Sequence, residues 1–233
     1  MSDYADYTYN STNPLQRFSH RTRFKNAVTA IPTNSPKSLK ILDFGCGDGM
    51  FIHQLRQSIG ASAFIVGYEP FMESYSINGE RIEKNWSKVL KLVDEKGEFD
   101  FVTCFEVLEH LPPQLLHNAL EDIHTVVAQN GSVIVSVPIE KGFPAVVKGF
   151  LRRREGESYR RIWCYRNIWR SYLGKSVERQ FAEEGYLHHV GFYFEELELQ
   201  FEPFFSVESR SFSPLKAAGF QFNSQVFYTL KKR

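Results

Sequence analysis

Short apolar runs alternate along the chain with segments in which apolar residues recur every three or four positions. The runs are typical of buried strands, and the recurring pattern is typical of helices that cover a sheet. The predicted strands lie at 41–44, 63–68, 99–105, 132–138, 204–211 and 225–230. The predicted helices lie at 15–31, 50–58, 113–129 and 194–201. This order predicts an α/β domain that ends in an antiparallel strand pair.

The composition permits a full hydrophobic core but predicts no bulk attraction to nucleic acid. Hydrophobic residues make up 42% of the 233 residues, and the formal net charge is +1. The three cysteines, at 46, 104 and 164, show neither metal-ligand spacing nor a disulfide framework, which favours a reducing cytoplasm. The N-terminus is polar and no apolar run approaches about 18 residues, so we expect neither a signal peptide nor a membrane span.

A glycine-rich string, Asp43-Phe44-Gly45-Cys46-Gly47-Asp48-Gly49, follows the first predicted strand. Glycine is needed where a Cβ would block the approach of a ligand to the backbone or would strain a positive φ angle. A dinucleotide fingerprint would place its third glycine one residue later, where Met50 stands. The Asp-x-Gly-x-Gly-x-Gly form instead resembles motif I of class I S-adenosylmethionine-dependent methyltransferases.

This resemblance implies an α/β, Rossmann-like, doubly wound fold with a mostly parallel seven-stranded sheet and an antiparallel last strand. The chain departs from the minimal family pattern by a helical insertion. It also implies S-adenosyl-L-methionine as the cofactor. We predict an N-terminal arm and helix at 1–36, then the methyltransferase domain at 37–233 with the insertion at about 140–185. The predicted cofactor-binding residues are Asp43, Gly45, Cys46, Gly47, Gly49, Glu69, Pro70, Phe105 and Glu106.

Glu69 follows the second predicted strand, 20 residues after Gly49. An acidic side chain at the carboxyl end of this strand can accept hydrogen bonds from both ribose hydroxyls of a nucleoside. The position resembles motif II of the family, and the alternative is an exposed strand-end carboxylate. The third strand has two candidates, 81–84 and 89–92, so the adenine contact stays unassigned.

The segment from Phe99 to Leu111 resembles the Phe-Asp-x-Val…Glu-Val-Leu-Glu-His-Leu signature of a methyltransferase group that includes ubiquinone-biosynthesis O-methyltransferases. Residues at this strand end should line the ligand crevice of an open α/β sheet. The predicted catalytic residues are Glu106, His110 and His189, because a carboxylate or imidazole can take the proton of an acceptor hydroxyl. In the alternative interpretation, Glu106 and Glu109 cap the following helix and His189 is a hydrogen-bonded loop residue.

The same segment raises the question of a metal. Glu106, Glu109 and His110, together with His189, resemble the magnesium site of small-RNA 2′-O-methyltransferases, whose hard carboxylate ligands suit Mg²⁺. Leu111 stands where that family has another histidine. We therefore expect no obligatory metal.

A basic and aromatic segment lies within the predicted insertion. Nine Lys or Arg and two Glu fall between Lys148 and Lys175, a local charge of +7, so the rest of the chain carries +1 − 7 = −6. Arginine with interleaved Trp and Tyr suits an anionic membrane surface, a phosphate-bearing substrate or nucleic acid. The alternative is a helical cap whose charges are only solvated. We expect peripheral contact with an anionic membrane through 148–175, and no nucleic-acid partner.

The sequence therefore predicts a cytoplasmic enzyme that O-methylates a hydroxyl on a sugar, a lipid-linked glycan or another small-molecule acceptor. Residues 13–18 and 223–225 resemble methyltransferases of surface-polysaccharide gene clusters, which would place the enzyme in polysaccharide biosynthesis. Two alternatives stay open. One is RNA 2′-O-methylation through Mg²⁺, and the other is a non-catalytic scaffold that binds S-adenosylmethionine.

Overall fold

A computed structural model describes residues 22, 26, 28, 29, 31, 38–60, 62–72, 75–77, 79–154, 156–182, 185, 186 and 188–233. Most of the predicted N-terminal arm and helix at 1–36 lies outside these residues. The proposed domain boundary after residue 36 therefore stays a prediction. Among the described residues, no helix has the length and hydropathy that crossing a bilayer requires.

Eight of the described strands form one sheet. They are β1 (Lys40–Phe44), β2 (Phe64–Tyr68), β3 (Tyr75–Ile77), β4 (Glu80–Glu83), β5 (Phe99–Phe105), β6 (Val127–Pro138), β9 (Phe205–Ser213) and β10 (Gln225–Lys232), in the order β3-β4-β2-β1-β5-β6-β10-β9. Strands β4, β2, β1, β5 and β6 are parallel, and β10 pairs antiparallel with both β6 and β9. The predicted seven-stranded sheet with an antiparallel last strand is thus confirmed, and the short β3 adds an eighth strand at the edge. Strands β7 (Phe181–Ala182) and β8 (Gly185–Tyr186) pair separately.

Helices cover both faces of the sheet. They are α1 (Met50–Ile59), α2 (Trp86–Lys96), α3 (Pro113–Val126), α4 (Gly142–Arg152), α5 (Glu157–Ile162), α6 (Tyr165–Tyr172) and α7 (Phe194–Phe201), with short 3₁₀ helices at Leu108–His110 and Phe220–Phe222. Successive strand residues point to opposite faces. Accordingly, Ile41 packs in the core cluster of α1, whereas its neighbour Leu42 packs in the cluster of α2, α3 and α7. The doubly wound arrangement follows from this two-sided burial.

Two segments, 81–84 and 89–92, were candidates for the parallel strand that follows β2. The structure confirms the first of them, which forms most of β4. The second candidate, 89–92, lies inside helix α2. Val89 and Leu92 are buried, three positions apart, while Lys91 between them is exposed. That spacing fits one face of a helix, and the helix ends where the Gly97 N–H donates to the carbonyl of Val93.

The prediction that the helix beginning at Pro113 continues to residue 129 was wrong. Helix α3 ends at Val126, and strand β6 already begins at Val127. The register between β5 and β6 shifts between Phe99 and Phe101, so extra residues are accommodated as a bulge. Gly131 fits there because an added Cβ would lie 3.0 Å from the carbonyl oxygen of Asp100.

The predicted insertion contains the three helices α4, α5 and α6. It has a hydrophobic cluster of its own, in which Trp163 and Ile168 are almost fully buried together with Val177 and Val190. The helices are therefore packed elements with a core. Gly142, at the start of α4, comes four residues after the carboxyl end of β6, so the insertion begins at the edge of the sheet where a ligand crevice is expected.

Candidate active site

The loop between β1 and α1 brings bare backbone to the carboxyl edge of the sheet. Gly45, Gly47 and Gly49 have φ angles of 74°, 53° and 75°, a region that favours glycine. A Cβ added at Gly45 would lie 2.4 Å from the side chain of Val107, so this glycine lets the loop pack closely on the segment after β5. A Cβ at Gly47 would meet no atom of the described residues within 4 Å. On its Cβ side, the backbone at Gly47 is therefore not covered by any of the described residues.

Glu69, directly after β2, holds this loop in place. Its Oε2 accepts a hydrogen bond from the Gly47 N–H at 2.9 Å, and its Oε1 accepts one from the Phe71 N–H at 3.2 Å. The Gly45 N–H donates to the carbonyl of Tyr68 at 2.8 Å. Each carboxylate oxygen has more than one acceptor site. Glu69 can therefore bind hydroxyl donors while it still holds the loop.

Asp43 and Cys46 are buried polar groups beneath the loop. Asp43 Oδ1 accepts a hydrogen bond from the Thr103 hydroxyl at 2.7 Å. Burial raises the pKa of Asp43 to about 7, the Thr103 hydrogen bond opposes this, and the charge of Glu69 adds to it. Burial, together with Asp43 and Glu69, raises the pKa of the Cys46 thiol far above its usual range. Cys46 is therefore a neutral packing residue and not a nucleophile.

The carboxyl end of β5 lies beside the loop. The Phe105 ring packs edge-on against Phe51 of α1, with ring centroids 4.9 Å apart. Glu106 has a φ angle of 57°, and among the described residues it alone combines a side chain with a positive φ. Its N–H donates to the carbonyl of Ser136 at 2.9 Å, and the Ser136 hydroxyl lies 3.5 Å from its Oε1. This backbone turns the chain out of the sheet toward His110.

His110 and His189 form a pair at this edge although they are 79 residues apart in the chain. Their Nε2 atoms are 2.9 Å apart, and His110 Nδ1 lies 2.9 Å from the carbonyl oxygen of Tyr186. Since a carbonyl only accepts, His110 Nδ1 carries the proton and its Nε2 is an acceptor when the ring is neutral. Burial lowers the pKa of His110 to about 4, with a further contribution from His189.

Two carboxylates lie against the histidine pair. Glu109 is fully buried, and its Oε1 is 4.0 Å from His110 Nε2 and 3.8 Å from His189 Nε2. Glu140 Oε1 is 3.7 Å from His189 Nδ1 on the other side of that ring. The alternative in which Glu109 caps helix α3 is not what the structure shows, since this carboxylate is directed to the histidines and the cap position is Pro112.

Glu140 connects the histidine pair to helix α4. Its carboxylate is 3.0 Å from the ammonium of Lys148 and 3.6 Å from the guanidinium of Arg152. Burial alone would raise the pKa of Glu140, but these cations and His189 hold it well below its usual range. Glu140 is therefore an ionised buried carboxylate. Sequence reasoning missed it, although its position just after β6 follows the same strand-end rule as Glu106.

Arg179 packs under the 3₁₀ segment that carries His110. It donates a hydrogen bond to the backbone carbonyl of Glu109, and its guanidinium lies 3.7 Å from the centroid of the Tyr186 ring. Arg179 therefore fixes both the backbone at Glu109 and the strand whose carbonyl faces His110. Its surroundings in the sequence show no hydrophobic period or motif, so no local signal pointed to it.

Comparisons with known proteins identify the family of the chain. The model of a family described as "Methyltransferase domain" matches residues 16–187, well over half of the chain. The chain belongs to this family of methyltransferases. Membership and the fold together confirm the predicted class, an S-adenosylmethionine-dependent methyltransferase of class I.

Curated relatives match only part of the methyltransferase. A ubiquinone biosynthesis O-methyltransferase from Azotobacter vinelandii is 31% identical over 102 residues, which are 42% of this chain and 43% of that protein. The chain spans less than half the length of the curated relatives it matches. The similarity therefore does not show which acceptor this chain methylates.

Solved structures resemble the methyltransferase over nearly its whole length. The plantazolicin methyltransferase BpumL, in complex with a triazolic desmethylPZN analog and S-adenosylhomocysteine, gives a TM-score of 0.57 at 13% identity, covering 98% of this chain and 90% of that one. The 1,6-didemethyltoxoflavin-N1-methyltransferase of Burkholderia thailandensis gives a TM-score of 0.55 at 13% identity, covering 100% and 91%. At such identities the likeness shows the fold.

The structure places the predicted site residues of the methyltransferase in two groups. The first surrounds the glycine loop and contains Asp43, Gly45, Cys46, Gly47, Gly49, Glu69 and Pro70. The second consists of His110 and His189, with Phe105 and Glu106 on the strand end between the groups. Their roles in binding and catalysis stay predictions.

Glu109, His110 and His189 have a geometry that could hold a cation. One ligand atom from each lies within 4.8 Å of the other two. Two imidazole nitrogens and one carboxylate suit a transition metal better than Mg²⁺, which prefers oxygen ligands. Glu106, the fourth side chain of the magnesium set considered from the sequence, is not a member of this group in the described part of the chain.

Proposed function

We propose that this methyltransferase transfers the methyl group of S-adenosylmethionine to a hydroxyl of a small-molecule acceptor, a sugar or a lipid-linked glycan. The observation that carries the proposal is the His110–His189 pair beside the glycine loop. The pKa of His110 is lowered to about 4, so its imidazole is neutral near pH 7. A neutral imidazole within reach of a hydroxyl can act as a general base. Such a base contributes typically about 10²–10⁴-fold to the rate, and less when its pKa lies far below the working pH.

The glycine loop and Glu69 are proposed to hold the cofactor. When bound, the cofactor supplies an electrophilic methyl group on its sulfonium sulfur. The open space at Gly47 allows a nucleoside to lie against the backbone, and Glu69 accepts hydrogen bonds from the ribose hydroxyls. The N-terminus of α1 suits the carboxylate of the methionine part. Cys46, Pro70 and Phe105 would line the same crevice.

His110 is proposed to accept the proton of the acceptor hydroxyl. Its Nδ1–H is held by the Tyr186 carbonyl, so Nε2 is the basic atom, and His189 now donates to it. An acceptor hydroxyl would take the place of that donor. The Glu109 carboxylate, 4.0 Å from Nε2, would stabilise the imidazolium that forms. Glu106, at the same strand end, is the second candidate base.

The proposal includes no obligatory metal. A general base already in place can remove a hydroxyl proton without a metal ion. Exhaustive chelation should therefore leave methyl transfer unchanged. The grouping of Glu109, His110 and His189 favours one alternative, a metal-dependent RNA 2′-O-methyltransferase. Loss of activity on chelation, with recovery on metal addition, would support that alternative.

The acceptor class rests on the basic and aromatic insertion. Its Arg, Lys, Trp and Tyr residues suit a phosphate-bearing or lipid-linked substrate, and the resemblance of residues 13–18 and 223–225 suggests polysaccharide biosynthesis. A cytoplasmic location is part of the proposal, because all three cysteines are free thiols. Peripheral contact of 148–175 with an anionic membrane is also part of it.

The test is methyl transfer from radiolabelled S-adenosylmethionine to three probes: nucleotide sugars, a polyprenyl-phosphate-linked sugar and an RNA oligonucleotide. We expect O-methylated sugar, identified by product mass and by resistance of the methyl group to alkaline ester cleavage. Transfer to the RNA alone would replace the proposal with the RNA alternative. Binding of S-adenosylmethionine with transfer to none of the probes would favour the scaffold alternative.

A further inference from the structure

Helices α4 and α6 each expose an apolar face, in addition to the face that packs in the protein. The exposed residues are Phe143, Val147, Phe150 and Leu151 on α4, and Tyr165, Trp169, Tyr172 and Leu173 on and just after α6. Their exposed fractions range from 37% to 60%. Within each helix they follow the same spacing, positions i, i+4, i+7 and i+8, which defines one side of a helix. We call these eight residues the α4–α6 face.

The two helices pack so closely that their exposed sides form one surface. A Cβ added at Gly149 of α4 would lie 2.7 Å from the side chain of Ile168 of α6. On the outer side, the rings of Phe150 and Tyr165 are 6.0 Å apart, and the Arg153 guanidinium lies 4.2 Å from the centroid of the Tyr165 ring. Contiguous exposed apolar surface of this kind marks an interaction site.

A cavity of about 530 Å³ opens in the same surface. Phe143, Tyr172 and Leu173 of the α4–α6 face line it together with Phe220 and Phe222, and Phe222 is itself 63% exposed. Lys141 also lines the cavity, and it directly follows Glu140, whose carboxylate lies 3.7 Å from His189. The cavity wall therefore begins next to the candidate active site.

We propose that the α4–α6 face docks onto an anionic membrane surface and that a lipid chain enters this cavity. The segment that carries the face also carries five exposed basic residues: Arg154, Arg160, Arg161, Arg166 and Lys175. The segment 148–175 carries a formal charge of +7 while the rest of the chain carries −6, and an anionic surface attracts a segment of that charge. Aromatic and aliphatic side chains between basic ones suit the boundary of headgroups and acyl chains.

Other occupants fit the face less well. A second copy would bring the same patch against itself in a two-fold dimer, which would set one cluster of positive charge against another. Nucleic acid would use the arginines and aromatic rings, but it gives no role to the exposed aliphatic residues Val147, Leu151 and Leu173 or to an apolar cavity. A lipid bilayer uses all of them.

The first experiment is co-sedimentation with vesicles of phosphatidylcholine alone or with 30 mol% (about one third) phosphatidylglycerol, a charge density at which basic segments bind membranes. We expect binding to the anionic vesicles and little to the neutral ones. The triple variant Phe150→Ser, Trp169→Ser, Leu173→Ser should bind about tenfold less or worse, because three inserting side chains are lost. Leu199→Ser is the matched control, since Leu199 is 62% exposed and Leu173 is 60% exposed. This control should bind like the unaltered protein.

The second experiment reports insertion directly. Of the three tryptophans, Trp169 is 60% exposed, Trp163 is fully buried, and Trp86 is half-buried on α2, outside the α4–α6 face. Lipid-induced changes in emission that Trp169→Phe removes therefore report on Trp169. Phosphatidylcholine labelled with doxyl groups along its acyl chain should quench the emission in anionic vesicles, and Trp169→Phe should remove most of that quenching. Absence of vesicle binding, equal loss in the triple variant and the Leu199→Ser control, or binding without quenching would each overturn the proposal. So would loss of a dimer in the triple variant on gel filtration.

The inference rests on the membrane contact in the proposed function but not on methyl transfer. Vesicle binding needs neither cofactor nor acceptor, so it can fail while the enzyme still transfers methyl groups to a water-soluble acceptor. Conversely, a protein that binds vesicles but methylates none of the probes would keep this inference and lose the proposed function. Calorimetry with S-adenosylmethionine on the triple variant checks that its cofactor site is intact.

Discussion

The glycine-loop side and the histidine side of the candidate active site are built from different kinds of contact. On the glycine-loop side, backbone amides of Gly45 and Gly47 bond to residues 68 and 69, about 22 positions along the chain. On the histidine side, the contacts join side chains that are far apart in sequence, such as His110 with His189. The first side uses main chain and glycine. The second uses titratable side chains held by buried charges.

This difference separates two functions that a methyltransferase must combine. A backbone cradle binds a ligand by shape and by fixed N–H groups, so it is sensitive to an added side chain. A pair of imidazoles acts through its protonation state, so it is sensitive to the charges around it. We therefore expect substitutions in the loop to change cofactor affinity and substitutions at the histidines to change the rate of transfer.

The largest expected effect is on cofactor binding by Gly47→Val. The added side chain would fill the open space at Gly47, so binding of S-adenosylmethionine should be lost in calorimetry. Gly60→Val is the matched control, because Gly60 also has a positive φ, 76°, and no described atom within 4 Å of an added Cβ. It should bind normally with a similar loss of thermal stability. Retained binding in Gly47→Val would place the cofactor elsewhere.

The next largest effect is on the rate of transfer by His110→Ala. Loss of a general base should lower kcat about 10²–10⁴-fold with unchanged affinity for S-adenosylmethionine. His117→Ala, at an exposed position on helix α3, is the control and should leave both quantities unchanged. An equal fall in cofactor affinity would show that His110 belongs to the binding side.

The pH dependence of methyl transfer also tests whether His110 is the general base. The pKa of His110 is lowered to about 4, and only the neutral ring can accept a proton. Activity should therefore stay constant on the acid side down to about pH 5 and fall as the pH drops through about 4. An ordinary histidine would give a fall near pH 6.5. A profile of kcat/KM for the acceptor, which reports the pKa values of the free enzyme, with an acid limb near 6.5 would contradict this assignment.

Glu69→Ala should have an intermediate effect, confined to cofactor binding. It removes the acceptor proposed for the ribose hydroxyls and leaves the Gly47 N–H without its present partner. An unsatisfied buried polar group costs about 1–3 kcal/mol, so affinity should fall roughly 5- to 150-fold in calorimetry. Glu202→Ala removes an exposed carboxylate after α7 and serves as the control. Unchanged affinity in Glu69→Ala would count against the ribose contact.

The smallest expected effect is the pH dependence of binding through Asp43. Its pKa is raised to about 7, so the carboxyl is mostly neutral below pH 7 and ionised above it. The cofactor carries positive charge, so its affinity should rise about threefold to tenfold as the pH increases from 6 to 8. Asp43→Asn should flatten this dependence. A variant that keeps the rise would assign it to another group.

Asp43 should also make the free energy of unfolding depend on pH. This quantity should fall as the pH rises, whereas the cofactor affinity should increase. The folded protein keeps the Asp43 proton up to about pH 7, whereas the unfolded chain releases it near the ordinary value of 3.8. The contribution of this group to the free energy of unfolding is therefore present below pH 3.8 and is lost as the pH rises through about 7. Denaturant titrations of the unaltered protein and Asp43→Asn at pH 5 and 8 measure it.

The sequence by itself determined the features that depend on short-range geometry. The three glycines at 45, 47 and 49 require positive φ angles, and a carboxylate just after β2 lies at the same sheet edge as that loop. Both are consequences of local backbone conformation and of parallel strand order, which apolar runs in the sequence reveal. His110 was found in the same way, as a strand-end residue.

Only the tertiary structure decided the features that depend on distant contacts. It selected β4 over the segment in α2, it extended β6 back to Val127, and it placed Glu140 and Arg179 around the histidines. The strand-end rule could have drawn attention to Glu140, but no local pattern marks Arg179. Neither could be paired with its partner from the sequence, because Glu140 contacts His189 over 49 positions and Arg179 contacts Glu109 over 70 positions. The exposed faces of helices α4 and α6 likewise could not be predicted from the sequence. Their apolar residues could have been buried, and only the packed structure leaves one side of each facing solvent.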